Sequence, residues 1–264
     1  MKKNGFTLAE VLITLSIIGV VAALTLPSLN MGVQSSKVGP HLRKFINTIT
    51  NANEMILTEN QSNSLRSIYD EANNGAADYL AALSGQVRGA ATNSTIADLA
   101  DDRALTNYGP NGAAFVSNNV VGVGNINVTQ FDIFNFDSGE SLAIGLRAAG
   151  AQQRDNVSGG HRGVFADVIY DMDGFGTGAN KLGIDLFMFR MDNNGSLIPA
   201  GSTAEASAGY VNHSAAGHIV HDSRPRWRLG DDRCNVNGNQ LSMGTGVNCA
   251  GSVADNNWRV IYQY

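Results

Sequence analysis

KNGFTLAEVLITLSIIGVVAALTLP, residues 3–27, sets a single acid, Glu10, near the start of an otherwise apolar run. Residues 6–26 are dominated by Leu, Ile, Val and Ala. As an α-helix rising ~1.5 Å per residue, such a segment spans the ~30 Å hydrocarbon layer of a bilayer. Lys2 and Lys3 precede it, and positive charge beside an apolar helix keeps that end in the cytoplasm. The remainder is then expected outside. An ionised carboxylate in the membrane costs roughly 2.5–3.5 kcal/mol at a helix centre and less toward an end, so Glu10 needs a partner.

Three readings of the segment compete: a cleaved secretory signal, a plain anchor, and a helix retained after its charged leader is removed. A secretory signal wants a small-x-small site after its apolar core, and Ala22-Ala23-Leu24-Thr25-Leu26-Pro27 offers a poor one. A plain anchor has little use for Glu10. Cleavage between Gly5 and Phe6 would expose an α-amino group with an unperturbed pKa of about 8, largely positive at neutral pH and in the same apolar zone as the acid. The two charges neutralise each other best between neighbouring subunits, because within one helix the amine points along the axis. A charge pair is costly to leave broken in low dielectric. The pair is therefore expected to drive assembly and to set the stagger of adjacent helices.

The run Lys3-Asn4-Gly5-Phe6-Thr7-Leu8-Ala9-Glu10-Val11-Leu12-Ile13 resembles the leader and cleavage motif of type IV pilins and of the related pseudopilins of type II secretion. The family's leader ends in glycine, its mature chain begins with phenylalanine, and its fifth mature residue is glutamate; here these fall on Gly5, Phe6 and Glu10. The resemblance implies cleavage after Gly5 and N-methylation of Phe6 by a prepilin peptidase in the inner membrane. Gly19 and Pro27 fall where the family's helix carries a glycine and a proline. Glycine weakens a helix by about 1 kcal/mol and proline by about 3, so this interval is expected to unwind when subunits pack into a filament. The implied partners are the peptidase, other pilin subunits, an inner-membrane assembly platform, and membrane lipid before assembly. The implied location is a single-pass inner-membrane protein with a periplasmic headpiece, later part of a surface or periplasmic filament.

At 264 residues and 43% hydrophobic content the chain can build a packed core. Its net charge of −5 leaves no basic footprint for nucleic acid. Arg224, Arg226 and Arg228 are interrupted by Pro225 and Trp227 and flanked by Asp222, Asp231 and Asp232; a solvated loop is the expectation there. With 30 glycines and long Asn-, Ser- and Ala-rich stretches, the composition reads as loop-rich and surface-exposed.

The chain divides into a leader (1–5), a membrane or filament-core helix (6–27), the soluble half of a spine helix (28–60), a variable helix-to-sheet connection (61–129) and a sheet-bearing headpiece (130–264). Leu42, Phe45, Ile46, Ile49, Ala52, Asn53 and Ile56 recur at helical spacing and predict a stripe laid on a sheet. Gly39-Pro40 is expected to bend or break the spine. Ile68, Tyr69, Ala72, Tyr79, Leu80 and Leu83 suggest a helix or two, and Thr95-Ile96-Ala97-Asp98 looks like a sequence opening another. Residues 131–136 and 142–146 flank Asp137-Ser138-Gly139-Glu140 as a hairpin. Residues 164–170, 185–191 and 258–262 read as further strands. The fold expected is α+β, the pilin fold: a long hydrophobic spine helix packed on a four- or five-stranded antiparallel sheet with a C-terminal disulfide loop.

In DVIYDMDGFGTGANKLGIDLF, residues 167–187, Asp171, Asp173 and Asp185 crowd with Asp167 and Asn180 around glycines. Hard oxygen ligands on such a loop are what Ca²⁺ requires. The twelfth position counted from Asp171 is Leu182, which excludes an EF-hand. The plainer reading is a turn in which Asx side chains bond their own backbone. The stretch also resembles a pattern in some pilin-like headpieces, and the resemblance keeps calcium open because some pseudopilins carry it. His213, His218 and His221 lack a helical face to hold metal geometry. No nucleophile motif and no phosphate loop is present, so an enzyme is not expected. Cys234 and Cys249 enclose a glycine-containing loop; a disulfide is expected, with two free buried thiols as the alternative and zinc disfavoured for want of further ligands. The resemblance implies the same pairing, since many pilins bound their C-terminal region with a disulfide. Its closure would contribute roughly 3 kcal/mol in the chain-entropy view.

Overall fold

A computed structural model describes residues 7–69, 75–95, 131–146, 164–175, 183–200, 202–204 and 249–260. Helix α1 runs without interruption from Leu8 to Glu59, 52 residues, or roughly 78 Å at ~1.5 Å per residue. Of the bend or break expected at Gly39-Pro40, the break is corrected: the helix continues through that pair and through Pro27. Each proline removes one N–H from a ladder of many bonds, and the long run of helix formers on either side outweighs the loss. Gly39 has a packing role. The carbonyl oxygen of Trp258 occupies the place a Cβ on Gly39 would take, so only glycine lets the C-terminal segment lie this close to the spine.

Two short helices follow, α2 (Leu65–Ile68) and α3 (Gly75–Gln86), as the apolar spacing predicts. Among the described residues six strands form one antiparallel sheet in chain order, β1 (Gly89–Thr95), β2 (Asp132–Phe136), β3 (Ser141–Leu146), β4 (Val164–Asp171), β5 (Leu186–Asp192) and β6 (Leu197–Pro199). Helix α4 covers Cys249–Asp255. The β2–β3 hairpin and strands β4 and β5 fall where the sequence places them. The count of four or five strands is corrected to six among the described residues, with β1 lying in the stretch assigned to a variable connection and β6 unforeseen. The strand expected at 258–262 is also corrected. Asn257 and Trp258 have φ of +55° and +62°, left-handed values that no strand tolerates, and their backbone turns out of α4 instead. Residues 261–264 and the helix start read at 96–98 lie outside the described residues.

The core forms where the C-terminal half of α1 lies on the sheet. Val38, Leu42, Phe45, Ile49, Ala52 and Ile56 are buried at three- and four-residue steps, which keeps them on one face. They meet Phe134, Leu142, Ile144, Val168, Tyr170, Phe187 and Phe189, with Tyr79, Leu80 and Leu83 of α3 closing one flank. Phe45 is the central knob, stacked on Tyr170 at 4.0 Å between ring centroids and 5.3 Å from Phe189. The opposite face of the sheet is buried too, including Ile133, Ala143, Ile169 and Met188. On that side the cross-strand pair Asp167 and Arg190 forms an ion pair at 3.1 Å with side chains 2% and 5% exposed.

Candidate functional site

The first turn of α1 carries the site. Thr7, with φ −78° and ψ 150°, is the N-cap and forms a reciprocal capping box with Glu10. The Thr7 N–H and the Thr7 hydroxyl each donate to Glu10 Oε2 at 2.8 Å, and the Glu10 N–H donates back to Thr7 Oγ1 at 3.3 Å. Two N–H groups that a helix start leaves orphaned are thereby satisfied. The sequence singles out Glu10 as the one acid of an apolar run. The contribution of Thr7 was missed, although a Thr three residues before a Glu at the head of an apolar run is a helix-start signal.

Leu8–Thr25 is long and apolar enough to cross a membrane, and among the described residues nothing covers it. Leu8, Leu24 and the Ile and Val side chains between them are exposed, whereas a soluble domain hides such residues. Its hydroxyls do not add polar surface: Thr14, Ser16 and Thr25 donate to the carbonyls of Val11, Leu12 and Val21 of the same helix. Gly5 and Phe6 lie outside the described residues.

Residues 1–26 match the prokaryotic N-terminal methylation motif. This is the type IV pilin and pseudopilin signature. No curated protein and no solved structure matches the chain. The pilin-type motif implies processing by a prepilin peptidase and assembly with other pilin subunits. The apolar helix near the N-terminus, the one such helix among the described residues, fits a single-pass membrane-anchored subunit.

Of the three headpiece aspartates proposed for calcium, Asp171 is wholly buried and Asp173 exposed. Asp171 Oδ1 accepts from the N–H groups of Asp173 and Gly174 at 3.1 and 3.2 Å, the Asx turn of the plainer reading. Gly174 and Gly183 have φ of +92° and +83°. The Met172 N–H bonds the Asp185 carbonyl at 3.0 Å, which clips the two sides of the connection together. Asp171 Oδ2 is buried without a hydrogen-bond partner. Burial, then the Asp173 side chain beside it, and last the charge of Asp185 push this carboxyl up to about 8. Among the described residues no three acidic, imidazole or thiol side chains are grouped to hold a metal ion. Cys249 is buried at the start of α4. Its expected partner Cys234, together with Asn180, His213, His218, His221 and Arg224–Arg228, lies outside the described residues.

Proposed function

We propose that this chain is a structural subunit of a type IV pilus-like filament, serving adhesion, motility or DNA uptake. It is made in the inner membrane, cut after Gly5, methylated at Phe6 and assembled through a bundle of N-terminal helices. The observation that carries this reading is an 18-residue apolar stretch that the described residues leave bare and that holds one acid in its first turn. A bare stripe of this size must be covered by lipid or by copies of itself, and Glu10 makes the second state favourable by pairing with the amino group of an adjoining copy. In the test, Glu10→Ala leaves processing intact and blocks or misregisters assembly. Normal filament incorporation of that variant contradicts the proposal.

The same amino terminus serves a pseudopilin of a type II secretion system, working as a periplasmic piston. Filaments on the cell surface in micrographs separate the pilus from that alternative. A minor tip pilin that binds a ligand is a further alternative, marked by low copy number and ligand binding by the headpiece. The motif points to a structural subunit rather than an enzyme in each case.

Two features of the headpiece complete the proposal. A disulfide joining Cys234 to Cys249 is supported by the absence of a free cysteine among the described residues in a chain with two cysteines. Calcium at the turn of Asp171, Asp173 and Asp185 is supported by the partnerless Asp171 Oδ2 alone. A rise in melting temperature on adding calcium that is abolished in Asp171→Asn would support it; no rise in the wild type removes the ion from the account.

A further inference from the structure

We infer that a cleft on the flank of the headpiece binds a free aromatic monocarboxylate, one ring carrying one acid group. This goes beyond the assembly reading and does not depend on it. The cleft lies between α1, the link from α3 to β1, and the β2–β3 hairpin, and its volume is about 150 Å³. A cavity of that size holds one benzene-sized ring. Phe45, Phe136 and Val87 supply apolar walls. The two phenylalanine rings meet edge to face, 6.3 Å between centroids and 90° between planes, a corner against which a third ring packs in the geometry aromatic pairs prefer. Lys44, Arg88 and Glu140 also line the cleft, two cations against one acid. That acid is satisfied from within: Glu140 takes the Lys44 ammonium at 3.2 Å and the Ser138 hydroxyl at 2.8 Å. One positive charge is left over. It belongs to Arg88, which is exposed and whose guanidinium has no partner among the described residues; the half-buried Thr48 hydroxyl, also in the lining, has none either. A planar guanidinium fork matches a carboxylate through two parallel hydrogen bonds. The backbone under Arg88 is fixed in place. The Asp137 N–H donates to the Arg88 carbonyl at 3.3 Å, and Gly89 leaves no room for a Cβ against the Asn135 carbonyl and the Phe134 ring. An apolar corner with a few convergent polar groups is the composition of a small-ligand site, and the surplus charge sets the ligand's sign.

The test uses the full-length protein in detergent with para-fluorobenzoate as the probe, followed by the broadening of its fluorine resonance. Thr48→Trp fills the cleft from α1 and Ser138→Trp fills it from the hairpin, so two independent variants serve as blanks for partition into detergent. Saturable broadening is expected in the wild type, with a dissociation constant on the order of 1 mM for a ligand of about ten heavy atoms. It should be absent from whichever blank keeps the wild-type unfolding temperature. A hydrogen bond to a charged group is worth about a factor of ten or more, so Arg88→Gln should weaken binding about tenfold, and fluorobenzene should bind the wild type more weakly by a similar factor. No saturable broadening in the wild type, or equal broadening in a folded blank, overturns the site. Equal affinity in Arg88→Gln, or for fluorobenzene, overturns its assignment to an aromatic acid. Each of these results leaves the filament reading standing, since Glu10 and the span it belongs to take no part in the measurement.

Discussion

Asn53 shows how one polar side chain fixes the seat of a helix. It is fully buried; its Nδ2 donates to the Gly195 carbonyl at 2.8 Å and its Oδ1 accepts from the Tyr79 hydroxyl at 2.8 Å. The three residues belong to α1, to the turn between β5 and β6, and to α3. Gly195 sits at φ +84°, and a Cβ there would press on Asn53 at 2.5 Å, so the turn and the asparagine specify each other. The helical spacing placed Asn53 on the core stripe, but it carried no sign of its partners, which are 26 and 142 residues distant. Asn53→Leu leaves a buried hydroxyl and a buried carbonyl unpartnered, each costing about 1–3 kcal/mol. Urea unfolding of the detergent-solubilised protein should show roughly 2–4 kcal/mol lost, and Tyr79→Phe about 1. For Asp167 and Arg190, truncating one member removes the 3.1 Å ion-pair partner of a buried charge. Arg190→Met is expected to cost about 3–5 kcal/mol in the same assay.

At the level of elements, a polar cluster ties α1 to the β2–β3 hairpin. Glu140, at the end of the turn, takes the Lys44 ammonium at 3.2 and 3.3 Å and the Ser138 hydroxyl at 2.8 Å, and His41 Nδ1 lies 3.3 Å away. Burial alone would raise the Glu140 carboxyl, but the hydrogen bonds of Ser138 and Lys44 and the charges of Lys44 and His41 outweigh it, so it titrates below its ordinary value. A lowered carboxylate contributes stability above its unfolded pKa that is lost as pH falls through the folded one. Unfolding free energy should therefore decline as pH drops from about 5 toward 3. Glu140→Gln should flatten that slope; an unchanged slope would remove Glu140 as its source. Strands β2 to β5 were readable because each is an apolar or alternating run bounded by turn residues. β5 is buried along its whole length, and its unbroken LFMFRM run is what burial on both faces demands. β1 was not readable, because GAATNST carries no large apolar residue and is a strand only through backbone pairing with β2. The final strand failed for a local reason, the left-handed Asn257 and Trp258, which no apolar pattern reports. Gly39→Ala should disturb this junction. It forces the Trp258 carbonyl off the spine, and a drop in melting temperature with the Trp258 fluorescence shifted to the red is the expected sign.

Across the whole molecule, one continuous helix does two jobs. Its first third is bare apolar surface, and its last third is the spine of a core that the sheet and α3 complete. Truncating the central knob, Phe45→Ala, should cost about 3–5 kcal/mol of headpiece stability and leave membrane association unchanged, since the bare apolar stretch ends some 20 positions away. The division between anchor and headpiece was legible, because an uninterrupted apolar run and an amphipathic stripe differ in period along the same helix. The N-terminal motif was legible as a motif, since its residues lie together in one short stretch. The headpiece chemistry was not, because its candidate ligands come from separate segments whose approach only the fold decides. The central claim is that the apolar helix begins at a new amine made by cutting after Gly5. Mass spectrometry of the N-terminal peptide of protein isolated from its own cells tests it most directly. The account predicts a peptide starting at Phe6 and carrying one methyl group on its amine; a peptide starting at Met1, or one starting beyond residue 26, would contradict it.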